Sequence, residues 1–240
     1  MADQQDREDE RASQPTDAAR RAAVRDTYDR IASHFASTRE YPWPEVEAFV
    51  DDHARGASPG DADTPRVGLD LGCGNCRHAE LLAPHCETVV GLDASRGLLE
   101  TGRERATERA FAVALCQGDA AALPLATDSV DLAVYVATLH HLPTARARRK
   151  SLDELARVLA PDGRALVSAW STAHDRFDET EGFDTTVEWT LPGGETIDRF
   201  YHIYAPAEFD AALEASALEV RSWELSSGNC YATVAGGADG

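Results

Sequence analysis

Lysine is almost missing from this chain of 240 residues: Lys150 is the single one among 23 basic side chains, and the rest are arginine. Against them stand 42 acidic residues, for a net charge of −19. Such a balance excludes a protein that holds nucleic acid by a broad basic surface alone. Acids spread along the whole chain, with lysine nearly gone, point to a halophilic cytoplasm, where salt cuts self-repulsion to a few ångströms; an arginine-biased genome is the other reading. No run approaches the ~18 apolar residues that span a bilayer. The start, MADQQDREDERASQPTDAAR, has no apolar stretch of the kind a secretory signal carries. Five cysteines, an odd number without export features, read as reduced thiols rather than a disulfide framework.

What is present is one chain long enough for a sizeable core. Residues 1–15 are too poor in apolar side chains to order and form an expected acidic tail. From Thr16, an N-cap, Val24, Tyr28, Ile31 and Phe35 recur at helical spacing. A second helix starts at Pro44, and RGASPGDADTPR (55–66) reads as a linker. Strands are expected at 66–71, 88–92, 111–116, 131–137 and 164–170, with helices from about 76, at 95–109 and at 145–159. An acidic stretch (172–184) and a hairpin about Pro192, Gly193 and Gly194 follow, then a helix and a closing hairpin about Ser226–Asn229. Strands alternating with helices make a doubly wound α/β fold with a parallel sheet. The closing hairpin fits an antiparallel strand added at the sheet edge. The expected division is 16–60 for the N-terminal helices, 66–170 for the core, 171–204 for an insertion and 205–240 for the C-terminal helix and hairpin.

LDLGCGNCRH, from Leu69 to His78, is a strand running into a glycine turn and a helix. Gly72 and Gly74 let backbone approach a ligand where a Cβ collides. Asp70 ends that strand, Asp93 ends the next in GLDAS, and Asp119 follows the third in QGDAAALPL. An acid in the position of Asp93 accepts both hydroxyls of a ribose, and Asp119 is placed to accept from the exocyclic amine of adenine. No cation stands beside the two glycines themselves, as a pyrophosphate requires, so a nucleoside fits better than a dinucleotide. Cys73, Cys76, His78 and Cys86 invite a metal reading, but the glycine turn is already committed and no metal is expected. His140 and His141 end the fourth strand, on the edge where open α/β sheets bind substrate. Thr144 caps the next helix, whose first turn carries Arg146, Arg148 and Arg149. These cations oppose the helix dipole and call for an anion or for solvent.

The series VGLDLGCGN, GLDAS, GDAAALPL, DLAVYVATLHHL and RVLAPDGRALVSAW resembles, in that order over 66–170, the class I S-adenosylmethionine-dependent methyltransferases. The resemblance implies a seven-stranded Rossmann-like sheet. It also implies a cofactor pocket of Asp70, Gly72, Cys73, Gly74, Asp93, Ala94, Asp119, Ala120 and Ala137. The family pattern has glycine where this chain has Cys76; the helix is expected to have begun there, with the Cβ pointing away.

YDRIASHFASTREYPWPEV, with LHHL, VSAW and DRFYHIY, is similar to the tRNA methyltransferases that esterify 5-carboxymethyluridine at the wobble position, over Tyr28–Trp170 and Arg199–Tyr204. That likeness implies the tRNA anticodon loop as substrate, with Arg39, one of His140 and His141, Arg199, Tyr201 and His202 on the substrate side. It further implies a small zinc-binding activator protein, forming a heterodimer by strand addition at the edge strand FAVALCQ (111–117). The chemistry agrees. A carboxylate with a free pKa near ~4 is already ionised at neutral pH, so its oxygen needs no strong base to attack a sulfonium methyl. It needs a cation, and Arg39 supplies a forked one. Tyr41 and Trp43 suit stacking on an unpaired base. Arginines at 20, 21, 25 and 30 and at 146–149, with Lys150, are expected to form a basic rim against the overall −19. A small-molecule methyltransferase acting on a quinone, phenol or carboxylic acid shares every cofactor motif but has less use for Arg39 among aromatics.

Overall fold

The computed structural model describes residues 15–54 and 67–237; the expected acidic tail up to residue 14 and the linker at 55–66 lie outside them. Helix α1 (Asp17–Ser37) starts where its cap requires: Thr16 Oγ1 accepts from the Ala19 N–H at 3.2 Å. The stripe of Tyr28 and Ile31, flanked by Val24 and Phe35, packs against Leu98 and Ile197. After α2 (Pro44–Ala54), short helices and strands alternate: β1 (Val67–Leu71), α3 (Arg77–Leu82), β2 (Thr88–Asp93), α4 (Arg96–Arg109), β3 (Ala114–Gln117) and β4 (Val130–Tyr135). A 3₁₀ turn (Leu139–His141), α5 (Ala145–Val158) and β5 (Leu159–Trp170) complete the core. The hairpin β6 (Phe183–Thr190) and β7 (Thr196–Ile203), α6 (Pro206–Glu214), and the strands β8 (Leu218–Ser226) and β9 (Asn229–Gly236) follow.

Seven strands form one sheet in the order β3-β2-β1-β4-β5-β9-β8. β1 to β5 pair in parallel, and β9 runs antiparallel to β5. The order reverses between β1 and β4, so the carboxyl ends of β1, β2 and β4 open one crevice. The closing hairpin differs from expectation in one respect: β9 enters between β5 and β8, so β8 takes the edge. The turn at 160–163 is absorbed into β5 as an irregularity in its pairing with β4. The strand expected at 111–116 is shorter, beginning at Ala114. β6 and β7 stand apart as a two-stranded hairpin, and Ile197 and Trp189 pack it against α1.

Cys76 corrects a further expectation. It is not inside the helix but is its N-cap, in the left-handed region at φ 62°, fully buried. A Cβ there is accommodated because Gly102, in the middle of α4, leaves room: a Cβ built on Gly102 meets Cys76 Sγ at 2.5 Å. Glycine within a helix costs about 1 kcal/mol relative to alanine, and here the space it leaves is filled by sulfur. Gly102→Ala alone is therefore expected to destabilise by about 1–3 kcal/mol through overpacking. In a Cys76→Gly background the same change becomes neutral or stabilising, as denaturant unfolding of the four proteins measures.

Candidate active site

The crevice is a cavity of about 710 Å³, floored by the ends of β1, β2 and β4, roofed by α1 and walled by β7. Its charge opposes that of the molecule. Six arginines line it (Arg21, Arg25, Arg39, Arg77, Arg176 and Arg199) against two acids, Asp93 and Asp119.

Both acids stand at one end. Asp93 Oδ2 accepts from the Gly74 N–H at 2.9 Å and Oδ1 from the Ser95 N–H at 2.8 Å. Burial pushes its carboxyl up to about 6. Gly72, at φ 75°, has no room for a side chain, since a Cβ would fall inside that of Thr138. Gly74, at φ 51°, faces open space: nothing lies within 4 Å of where its Cβ would be. The turn thus leaves an open cradle over Gly74 on the cavity side. Asp119 Oδ1 accepts from the Ala121 N–H at 2.9 Å, and its other oxygen pairs with Arg21 Nε of α1 at 2.9 Å. Cys73, Ala94, Ala120 and Ala137 line the same end. Asp70 does not. Its carboxylate turns back to accept from the Ala79 N–H at 2.9 Å, holding the start of α3, and burial lifts it to about 7. It is a positioning residue rather than a contact.

The other end holds no acid. Arg199, 5% exposed on β7, donates to the Tyr201 hydroxyl at 2.7 Å and lies over the Trp189 ring, 4.8 Å from its centroid. Its Nε is buried with no partner among the described residues. Arg39 lies over Phe35 at 4.8 Å; burial and the nearby Arg199 draw its pKa down. His140 and His141 both line the cavity, but neither has the chemistry of a base. Phe200 O can only accept, at 3.1 Å, so His141 Nδ1 carries the proton and Nε2 accepts from the Tyr28 hydroxyl at 2.9 Å. Burial draws this ring down to about 3. His140 Nδ1 accepts from the Trp170 N–H at 2.9 Å, its ring stacks on Tyr201, and burial holds it far below the usual histidine range.

Two expected substrate contacts stand elsewhere. Strand alternation explains His202: Arg199 and Tyr201 face inward, so His202 faces the other side, between Asp184 at 2.7 Å and Glu208 at 2.8 Å. Tyr41 is 76% exposed and outside the cavity wall, whereas Trp43 lines it and packs on Tyr231. The expected basic rim is largely spent internally. Arg21 pairs with Asp17 and Asp119, Arg25 with Asp26, Arg30 with Glu195 and Arg149 with Asp153, while Arg148 is buried against Leu142 O. The anion that the α5 N-terminus calls for is Asp17, which accepts from the Thr144 hydroxyl at 2.6 Å; that bond above all, then Arg21 and Arg146, lowers its pKa.

Sequence reasoning missed Asn75, Arg77, His174, Arg176 and the Trp189 platform. Asn75 was legible in principle. It lies inside the glycine turn, and its amide donates to Arg39 O at 2.8 Å and Ala36 O at 3.3 Å, tying the turn to the end of α1.

A sheet reversing beside a glycine cradle, with an unshared acid ending the next strand, defines a nucleoside-using transferase of the class I methyltransferase fold. Comparison with known proteins agrees. Residues 69–167 match the methyltransferase domain family. The tRNA (carboxymethyluridine(34)-5-O)-methyltransferase ALKBH8 of Mus musculus is 35% identical over 62% of this chain and 20% of its own length. The protein of the same activity name in Arabidopsis thaliana is 34% identical over 74% of this chain and 38% of its own. This chain thus spans well under half of either relative. A putative methyltransferase of Encephalitozoon cuniculi, ECU09_1500, is 31% identical over 74% of this chain and 78% of that protein. Among solved structures, the CcbJ methyltransferase of Streptomyces caelestis shares the fold at a TM-score of 0.64 and 21% identity, covering 90% of this chain and 98% of that one. The chain belongs to the S-adenosylmethionine-dependent methyltransferase family. The residues fit that cofactor: the open cradle at Gly74 admits it, and Asp93 keeps acceptor capacity toward the cavity beyond its two backbone bonds.

Proposed function

We propose that this chain methylates a carboxylate, the 5-carboxymethyl group of a tRNA wobble uridine, to give its methyl ester. The observation that carries the reading is Arg199, a buried guanidinium with an unpartnered Nε, facing Arg39 across a wall that holds no acid. A fold that leaves two cations uncompensated there is matched by an anionic acceptor. The names of the mouse and Arabidopsis relatives supply the nucleoside. When bound, the cofactor supplies an electrophilic methyl group, and its transfer to an ionised carboxylate moves no proton. The chain's own task is then to bind, orient and desolvate. Arg199 and Arg39 hold the carboxylate, Tyr201 steers Arg199, and Trp170 and Phe35 exclude water. His140 and His141, neutral and hydrogen-bonded to the framework, shape the wall without adding a charge that would compete for the anion.

A partner belongs to this reading. We infer that a small zinc-binding activator adds a strand at β3, the sheet edge, where Phe111, Val113 and Leu115 border a groove beside Arg103 and Thr107. Because the rim arginines are largely paired, the activator supplies cationic surface that this chain does not. The test uses labelled S-adenosylmethionine, bulk tRNA, a panel of small acids and quinones, and the activator as a separate arm. Alkali-labile label in the wobble nucleoside is the expected result. Label confined to small molecules overturns the proposal.

A further inference from the structure

The glycine turn carries two thiols separated by two residues, in the order Cys73, Gly74, Asn75, Cys76. The Cys76 N–H donates to Cys73 O at 2.7 Å. A turn closed in this way holds its end Cα atoms within about 7 Å, a span that a disulfide can bridge. The two side chains also meet: the thiols hydrogen-bond to each other, and both sit in the apolar cluster that α2, α3 and α4 form against the sheet. Neither is engaged otherwise, since the cysteines are free and no set of metal ligands converges among the described residues. They differ in access. Cys73 lines the cavity, 5% exposed, whereas Cys76 is fully buried behind it. Between them, Gly74 and Asn75 are anchored on opposite sides. The Gly74 N–H donates to Asp93 Oδ2 at 2.9 Å, and the Asn75 amide donates to Arg39 O at 2.8 Å.

We propose that Cys73 and Cys76 are a redox site: a hydroperoxide oxidises them to a reversible disulfide that distorts the cofactor cradle. The Cys73 thiolate attacks one peroxide oxygen, so an S–O bond forms, the O–O bond breaks and a first water leaves once protonated. Cys76 then attacks the Cys73 sulfur, so the S–S bond forms, the S–O bond breaks and a second water leaves. Two thiols lose two electrons and two protons, and one hydrogen peroxide becomes two waters. A dithiol reverses the reaction by exchange. Converting a hydrogen-bonded contact into a covalent bond draws the sulfurs together, and neither is loosely held. Cys76 Sγ fills the space over Gly102, and Cys73 Sγ lies 3.2 Å from where a Cβ on Gly91 would stand. The backbone of Gly74 and Asn75 therefore moves, and with it the grip of the turn on Asp93 and on the end of α1. The hydrogen bond to Cys76 first, then burial, hold the Cys73 thiol well above its usual range. Oxidation is accordingly slow at neutral pH and quickens as pH rises. Bound cofactor covers the wall that Cys73 lines, so ligand and oxidant oppose each other.

The test treats the protein with hydrogen peroxide, blocks remaining thiols with iodoacetamide after denaturation, and maps the peptides by mass spectrometry. Calorimetry with S-adenosylhomocysteine runs beside it. The expected product is a peptide in which Cys73 and Cys76 are both unalkylated and together lack two hydrogens. Affinity for S-adenosylhomocysteine is expected to fall at least about tenfold on oxidation and to return with dithiothreitol. Saturation with S-adenosylhomocysteine beforehand slows formation of the link. Cys76→Gly, whose positive φ suits glycine, forms no link and keeps the same affinity before and after peroxide; Cys76→Ser carries the same test if the glycine variant fails to fold. Oxidation confined to Cys86 or Cys116, or a link that leaves affinity unchanged, overturns the proposal. So does an equal loss of affinity in Cys76→Gly, which would assign the effect to Cys73 alone.

Discussion

Arg199→Ala is expected to lower kcat/KM for the carboxylate acceptor by about 100- to 1,000-fold while leaving the dissociation constant of S-adenosylhomocysteine within about threefold of wild type. The size follows from the site. A charge-assisted hydrogen bond to a buried partner contributes about 1.5–3 kcal/mol, and Arg199 offers a fork rather than a point. Truncating it leaves a carboxylate desolvated against Trp170 and Tyr201 with one cation fewer, where the cost of an unpaired buried charge is about 2–5 kcal/mol. Arg199→Lys does not restore the rate, because a lysine cannot both reach the Tyr201 hydroxyl and present two parallel donors. Arg39→Ala loses less, about 10- to 50-fold, since that side chain is only half-buried and more of its charge is screened. Steady-state kinetics beside calorimetry reads both effects. Retention of a third or more of wild-type kcat/KM in Arg199→Ala would remove the guanidinium from the acceptor site, and equal losses in cofactor binding would reassign it.

The end of this cavity that holds the two acids was far more legible in the sequence than the end walled by β7. Gly72, Gly74, Asp93 and Asp119 sit at strand ends, and strand ends are fixed by local hydrophobic pattern, so four residues in order specify four positions around one crevice. Asp70 shares that pattern yet turns inward, because a helix start needed an acceptor for the Ala79 N–H; spacing alone does not separate the two uses of an acid. At the arginine-rich end the governing geometry is alternation along β7. DRFYHIY contains Arg199, Tyr201 and His202, and a strand sends only the first two to one face. The motif holds two residues that line the cavity together with one that does not. Trp189 escaped notice because it acts from across the hairpin, paired with Ile197, a contact set by a turn rather than by any local periodicity. Cys76 and Gly102 form another such pair: neither departure from pattern has a reason until the two are seen to touch.

The affinity for S-adenosylhomocysteine is expected to fall about tenfold for each pH unit below about 6 and to level off above about 7. Asp93 sets this. Two ribose hydroxyls donate best to a carboxylate, and burial has raised this carboxyl to about 6, so acid removes the acceptor before most exposed acids titrate. The stability of the ligand-free protein moves the opposite way. A carboxyl whose pKa is raised by folding binds its proton more tightly when folded. Between the unfolded value near ~4 and the folded value, ionisation therefore favours the unfolded chain. Asp93 up to about 6 and Asp70 up to about 7 thus each withdraw stability as pH rises through those windows. Melting temperatures with and without S-adenosylhomocysteine from pH 5 to 8 should diverge: the contribution of these two acids declines with pH while the shift given by ligand grows. Asp93→Asn is expected to weaken binding about 100-fold at pH 7.5, the cost of two hydrogen bonds to a charged acceptor, and to flatten its pH dependence. Amide for carboxylate also sets an NH₂ against the Gly74 or Ser95 N–H, so the turn itself should loosen. If the variant bound normally, or wild type bound equally well at pH 5 and pH 8, the ribose acceptor would have to lie elsewhere in the cavity. Asp119, paired with Arg21 on the roofing helix, would then be the acid left to supply it.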